Sequence, residues 1–157
     1  VIPYGTEALG VMRIEKGHAA GPELNGQTSA YDLGMGGMIS GKKDFIGYTL
    51  GLREDLQRDN RLQMVGFKPV NPNDLLLAGS HLLGLRDKAT TENDQGWISS
   101  CIYSPILGHY LGIGFIKGGH NRKGENVRAV DLVRGNDVEV EICSPHFVDP
   151  EGERLRV

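Results

Sequence analysis

Cysteine is almost missing: two residues in 157, Cys101 and Cys143, far apart and each in a strand-like apolar context. So sparse a set excludes a disulfide-stapled scaffold and fits a reducing cytoplasm. Long apolar runs are missing too. The longest, Leu75 to Leu85, is interrupted by Gly79, Ser80, His81 and Gly84, which makes it too short and too polar to cross a bilayer. No membrane partner is expected. Nor is there a basic excess, since the formal net charge is −3. A nucleic-acid footprint needs cations gathered on one face, so nucleic acid is not expected as a partner either. The five histidines, His18, His81, His109, His120 and His146, show no helix-face pairing and no accompanying cysteine cluster, so a zinc or iron site lacks its ligands. The opening VIPYGTEALG has neither a charged leader nor an initiator methionine. It reads as an extended lead-in to a helix, at the start of a cut fragment or processed chain.

Nucleotide motifs come close and fail. Gly36 to Lys43, GGMISGKK, nearly spells a phosphate loop, but Lys43 stands where a Ser or Thr hydroxyl must hold magnesium. Gly34, Gly36 and Ile39 miss the third glycine of the dinucleotide fingerprint. Gly79-Ser80-His81 is no nucleophile elbow.

Glycine, by contrast, is abundant at 23 residues, placed at turns rather than in a low-complexity block. A helix is predicted from about Glu7, with Thr6 a possible N-cap and Gly17 a left-handed cap after Lys16, which complements the dipole. Its apolar positions Ala8, Val11 and Met12 recur at helical spacing, and the next position on that stripe is Glu15. A carboxylate on a buried stripe needs a partner. It can accept two parallel hydrogen bonds from an amidine-like edge, such as the fused pyrimidine of a pterin presents.

His18 to Ser40 should be a long excursion, with Pro22, Asn25-Gly26 and a glycine cluster supplying turns. Asp44 to Asn60 suggests a second helix carrying Phe45, Leu52 and Leu56, weakened by Gly47 and Gly51. After Asn60, short β-branched runs alternate with turn residues. Strands are predicted at 61–69, 75–83, 96–103, 110–117, 127–133 and 138–143, with Gly135-Asn136-Asp137 as the last turn, and such a pattern makes a sandwich or barrel. Lys117 to Lys123, KGGHNRK, reads as a basic hairpin tip, and Ser144 to Val157 as a loose charged tail.

In order and spacing, ALGVMRIEKG, DLGMGGMISGKKDFIG, VGF, SPILG and GIGFI resemble the folate-binding domain of glycine-cleavage aminomethyltransferases. Within that family they look most like the branch of heterotetrameric sarcosine oxidase alpha subunits. The resemblance runs from about Gly5 to Cys143. It implies an α+β fold: residues 1–60 a partial α/β region with a long glycine-rich loop, 61–148 an antiparallel β-barrel, and 149–157 a tail. It also implies tetrahydrofolate as ligand, with Glu15 at the pterin-binding position of the R-x-E-x-G helix.

In that branch FAD, FMN and NAD serve parts of the complete enzyme outside this stretch. Sarcosine is oxidised on another subunit, and the imine meets tetrahydrofolate in this domain, giving methylenetetrahydrofolate and glycine. Other subunits of a hetero-oligomeric oxidase are the implied partners. The family's catalytic aspartate belongs to an earlier part of the fold, so no catalytic residue is assigned here.

The chain departs from the family in places. Leu77 stands where aminomethyltransferases carry an arginine. Lys42 and Lys43 replace an arginine-rich run, keeping charge but losing the planar fork suited to a folate carboxylate. Tyr103, before Ser104-Pro105, either lines the cleft or packs beneath it. An aminomethyltransferase or dimethylglycine-oxidising relative is the alternative, and a non-catalytic assembly protein a third. The relatives of that third class carry K-G-C-Y-x-G-Q, whereas this chain has Lys16-Gly17-His18-Ala19-Ala20-Gly21-Pro22.

Overall fold

A computed structural model describes residues 3–156. Six strands dominate: β1 Leu62–Pro69, β2 His81–Leu83, β3 Gly96–Ser104, β4 His109–Lys117, β5 Asn126–Asp131 and β6 Asn136–Cys143. Every pairing is antiparallel, and the order β1-β4-β3-β2-β5-β6 closes on itself through β6 and β1. Closure satisfies every edge, so the strand pattern resolves as a barrel rather than a sandwich. With few helices beside it, the fold is α+β.

The period of two fills the interior. In β6, Val138, Val140 and Ile142 are buried while Glu139 is exposed, and they join Phe67, Leu82 and Ile98 in the barrel core. In β4 two successive inward positions, Gly112 and Gly114, are glycine. A Cβ on Gly114 would sit 2.3 Å from the Trp97 carbonyl, so glycine is what lets β3 and β4 approach so closely.

A bulge interrupts the β3–β4 ladder between Ile98 and Ser100. Ile98 pairs with Gly114 and faces the core, but Ser100 pairs with Ile113 and Ile102 with Leu111, on the outer face. The extra residue, Ser99, therefore inverts the phase of the strand. Helix α1, Thr6–Glu15, lies on that outer face, with Ile14 packed among Leu111, Ile113, Ile102 and Phe147.

Several sequence expectations need correction. The N-cap is Gly5, not Thr6, and Gly5 is extended (φ −84°, ψ 168°); of the predicted lead-in, Val1 and Ile2 lie outside the described residues. The inner face of α1 is the buried Ile14 and Glu15 with Val11 half-buried beside them, while Ala8 and Met12 are exposed. Asp44 to Asn60 is not one helix but two single turns, α2 Tyr48–Gly51 and α3 Glu54–Gln57. Arg53 is extended between them (ψ 134°), and no residue of either turn is buried, so nothing rewards a longer helix.

The strand predicted at 75–83 shrinks to His81–Leu83. Before it the chain caps one barrel end, with the Leu75, Leu76 and Ala78 carbonyls accepting from Asn136, Cys101 and Arg134. β5 stops at Asp131, and the turn runs through 132–135, so Asn136 and Asp137 are already paired in β6. KGGHNRK is not a hairpin tip, because β4 and β5 are not neighbours. It is a crossover whose Gly119 is buried and whose His120 N–H donates to Gln63 Oε1 at 2.8 Å. The chain after β6 is tied down: the N–H groups of Phe147 and Val148 both donate to the Glu15 carbonyl at 2.9 Å.

Candidate functional site

Glu15 is 5 % exposed. It ends α1 where Gly17 turns the chain left-handed (φ +71°), a position at which a Cβ would lie 2.3 Å from the Pro145 carbonyl. Close packing of that turn against the post-β6 segment holds the backbone of Glu15. Its side chain meets Ser104 at the end of β3, whose hydroxyl donates to Oε1 at 2.5 Å and is itself wholly buried. Among the described residues nothing hydrogen-bonds Oε2. Glu15 borders a groove of about 460 Å3 walled by Leu9, Met12, Ile106 and Val148, with His18, Arg13, Lys16, Asp149 and Arg154 at its margins. Lys16 is engaged with the carbonyl and carboxylate of Asp149.

A flat heterocycle with a donor edge suits this arrangement chemically: apolar side chains for its faces, and one oriented carboxylate for its edge. The exposed Leu9 and Met12, which belong to no core, are the groove wall.

The other predicted site residues lie elsewhere. Lys42 and Lys43 are exposed in the loop after the Gly36–Met38 turn and do not line the Glu15 groove. Tyr103 alternates with Ser104 along β3, is 47 % exposed, and packs edge-on against Tyr110 at 5.5 Å. Leu77 is half-buried in the segment that caps the barrel.

Two acids no more than 2 % exposed carry no mark in the sequence pattern. Glu23, fully buried, accepts from Ser100 at 2.8 Å and from Ser99 through Oε1, and from Arg13 at 3.1 Å and the Ala20 N–H at 3.0 Å through Oε2. Arg13 also donates to Ser100 Oγ at 2.7 Å. The bulge is what presents two consecutive hydroxyls to one carboxylate. The reach of Glu23 back to the Ala20 N–H is half of a capping box, and it was the available signal. It was masked because alanine stands at the N-cap.

Asp32 is 2 % exposed and is gripped by Arg61 in a fork, Nε to Oδ1 at 2.9 Å and Nη2 to Oδ2 at 2.7 Å, with the Ser29 N–H at 2.8 Å. Burial pushes its pKa up, but the Arg61 fork and the Ser29 bonds together outweigh that and hold the carboxyl below its usual value. This clamp ties the excursion to the start of β1.

The histidines are dispersed. His81 meets Asp94 at 2.9 Å, His146 meets the Lys16 carbonyl at 3.0 Å, and His109 meets the Tyr110 carbonyl at 2.8 Å. Among the described residues no three potential metal ligands cluster, and no helix is long and apolar enough to cross a membrane. Both thiols are free and half-buried. Burial pushes Cys101 up, and Cys143 to about 12.

Residues 63–149 match the family described as the glycine cleavage T-protein C-terminal barrel domain. The chain is 42 % identical over 158 residues to the sarcosine oxidase subunit alpha of Rhizobium meliloti (strain 1021), covering all of this chain and 16 % of that protein. It is 35 % identical over 158 residues to the subunit of that name from Corynebacterium sp. (strain U-96), covering 98 % and 16 %. An aminomethyltransferase of Chloroherpeton thalassium is 29 % identical over 121 residues, 74 % of this chain and 31 % of that one. In three dimensions the fold is shared with the glycine cleavage system aminomethyltransferase T from Bartonella henselae, at a TM-score of 0.63 and 17 % identity over 93 % of this chain and 39 % of that chain. The chain thus spans about a sixth of the length of the sarcosine oxidase subunits it matches.

Proposed function

This chain belongs to the glycine cleavage T-protein C-terminal barrel family, and from that premise we propose that it supplies one wall of a tetrahydrofolate site in the alpha subunit of a sarcosine oxidase. In this reading residues 1–60 are part of the folate-binding region, 61–148 the barrel that carries it, and 149–157 a tail. The complete enzyme demethylates sarcosine oxidatively, with its flavins and NAD held outside this stretch and other subunits as partners. Two free, unbridged thiols agree with a cytoplasmic setting. Tetrahydrofolate, when bound, supplies the amine that takes up the one-carbon unit. Glu15 holds and orients the pterin, and Leu9, Met12, Ile106 and Val148 flank it. An aminomethyltransferase is the second reading, favoured by the 29 % identical relative; the site would be the same and the donor of the carbon unit different.

The observation that carries the proposal is a carboxylate 5 % exposed, fixed through one oxygen, at the edge of an apolar groove. In the complete oxidase, Glu15→Gln keeps an acceptor for Ser104 but sets an amide against the donor edge. The tetrahydrofolate dissociation constant should rise roughly tenfold to a hundredfold, the loss of about 1.5 to 3 kcal/mol of charged hydrogen bonding. Flavin reduction by sarcosine should keep its rate. If that half-reaction collapsed together with folate affinity, or if affinity were unchanged, the assignment would be wrong.

A further inference from the structure

The carboxylate of a glutamate turns freely about its last bond, because that sp3–sp2 torsion is broad and roughly two-fold. A free rotor presents either oxygen, at any tilt, to a ligand. Glu15 is not such a rotor. Its backbone carbonyl is held by the N–H groups of Phe147 and Val148, both at 2.9 Å. Its Oε1 is held by Ser104 Oγ at 2.5 Å.

The serine is itself fixed. It is 0 % exposed, and the Leu107 N–H donates into its oxygen at 3.2 Å. Its single proton is then directed at Glu15, the one side-chain partner of that hydroxyl among the described residues. The hairpin that follows is closed by Gly108 N–H to the Ser104 carbonyl at 2.8 Å. It also sends Ile106 to the groove wall. One turn of sequence, Ser104 to Gly108, thus sets both the orientation of the acid and a side of the space the acid faces.

We propose that Ser104 is a positioning residue for pterin binding: its hydroxyl occupies Oε1 of Glu15 and so reserves Oε2, in one fixed plane, for the donor edge of the ligand. The inference rests on the reading of Glu15 as the pterin-holding acid, and a double-mutant cycle separates the two. Binding of tetrahydrofolate to the complete oxidase is measured anaerobically by calorimetry for the parent, Ser104→Ala, Glu15→Ala and the double variant. Ser104→Ala should weaken binding about five- to tenfold in the parent and less than twofold in the Glu15→Ala background, where nothing is left to orient.

Flavin reduction by sarcosine reports that each variant is assembled. If Ser104→Ala impairs assembly, Ser104→Cys, with a thiol that donates only weakly, takes the same test. An equal loss in both backgrounds is what a merely structural serine would give, and it would overturn the inference. So would no loss in the parent. In either case a weakened Glu15→Ala leaves the function of Glu15 standing, whereas unchanged binding in Glu15→Ala removes that function and the role of Ser104 with it.

Discussion

Replacing Glu23 by alanine tests whether the long excursion after α1 is held by charge or merely lies on the barrel. The carboxylate has four donors: the hydroxyls of Ser99 and Ser100, the Arg13 guanidinium and the Ala20 N–H. Their fates in the variant differ. Ser99 has one proton and a second acceptor already in place, the Ile113 carbonyl at 3.0 Å, so it loses little. Ser100 still accepts from Arg13 at 2.7 Å. The Ala20 N–H is orphaned, and Arg13 keeps its charge without its counter-charge. An orphaned buried donor costs about 1 to 3 kcal/mol, and a broken buried ion pair about 3 to 5 kcal/mol.

Arg13 is 22 % exposed in its side chain and can recover some hydration, which places the total near the lower bound, about 3 kcal/mol. For a domain of this size that is a fall in Tm of about 6 to 12 °C. Urea unfolding followed by far-ultraviolet circular dichroism, with calorimetry for Tm, measures it. Ser99→Ala, which leaves the carboxylate three donors, should cost no more than about 1 kcal/mol. A Glu23→Ala loss as small as that of Ser99→Ala would refute the reasoning, since the cluster would then contribute packing alone.

Two further outcomes follow from the other buried groups. The folded Asp32 carboxyl titrates below its ordinary value, so the stability it contributes is complete above about pH 4 and is lost as pH falls through the lowered folded value. Asp32→Asn should therefore destabilise at pH 7 by about 3 kcal/mol, the lower bound for a broken buried pair because the Arg61 side chain is 23 % exposed, and the gap to the parent should narrow by pH 3; parallel urea midpoints at both pH values would contradict this. Cys143, pushed up to about 12 by burial, should resist iodoacetamide at pH 8 until urea exposes it, because the thiolate is the nucleophile. Rapid labelling of that thiol in the folded protein would show the burial argument to be mistaken.

The barrel was legible because its signal is local. Alternation in Val138–Ile142 and the punctuation between β-branched runs place five of the six strands within two residues, and a period of two admits little else. The second strand was overextended, because Leu75–Ser80 is apolar for a different reason: it plugs the barrel end with Leu76 while its carbonyls bind side chains from β3, β6 and the turn before β6. The first helix was legible in extent but not in face. Leu9 and Met12 compete with Val11 and Ile14 for the apolar stripe, and the pattern alone does not say which hydrophobes meet the barrel and which wall a groove. Glu15 fell on the inner face under either choice. Glu23 and Asp32 had no such pattern, since a loop carboxylate is buried by its partners, and those partners lie 76, 77 and 29 residues away in sequence at Ser99, Ser100 and Arg61.

The bulge in β3 joins these observations physically. With strict alternation, Ser100 and Ser104 would share the inward face of Ile98, which lies in the barrel core, and two hydroxyls would be wasted on an apolar interior. One inserted residue reverses the phase, so that Ser100, Ile102 and Ser104 face α1 while Cys101 turns to the core. Arg13 and Glu15, two residues apart on the helix, then find Ser100 and Ser104 four apart on the strand, and Glu23 finds Ser99 and Ser100 together. A helix with one charged residue on each side of Ile14 can lie flat on a β-surface only if that surface offers polar groups at those two places. The inserted serine is what supplies them, so the placing of Glu15 is a property of β3 as much as of the helix that carries it.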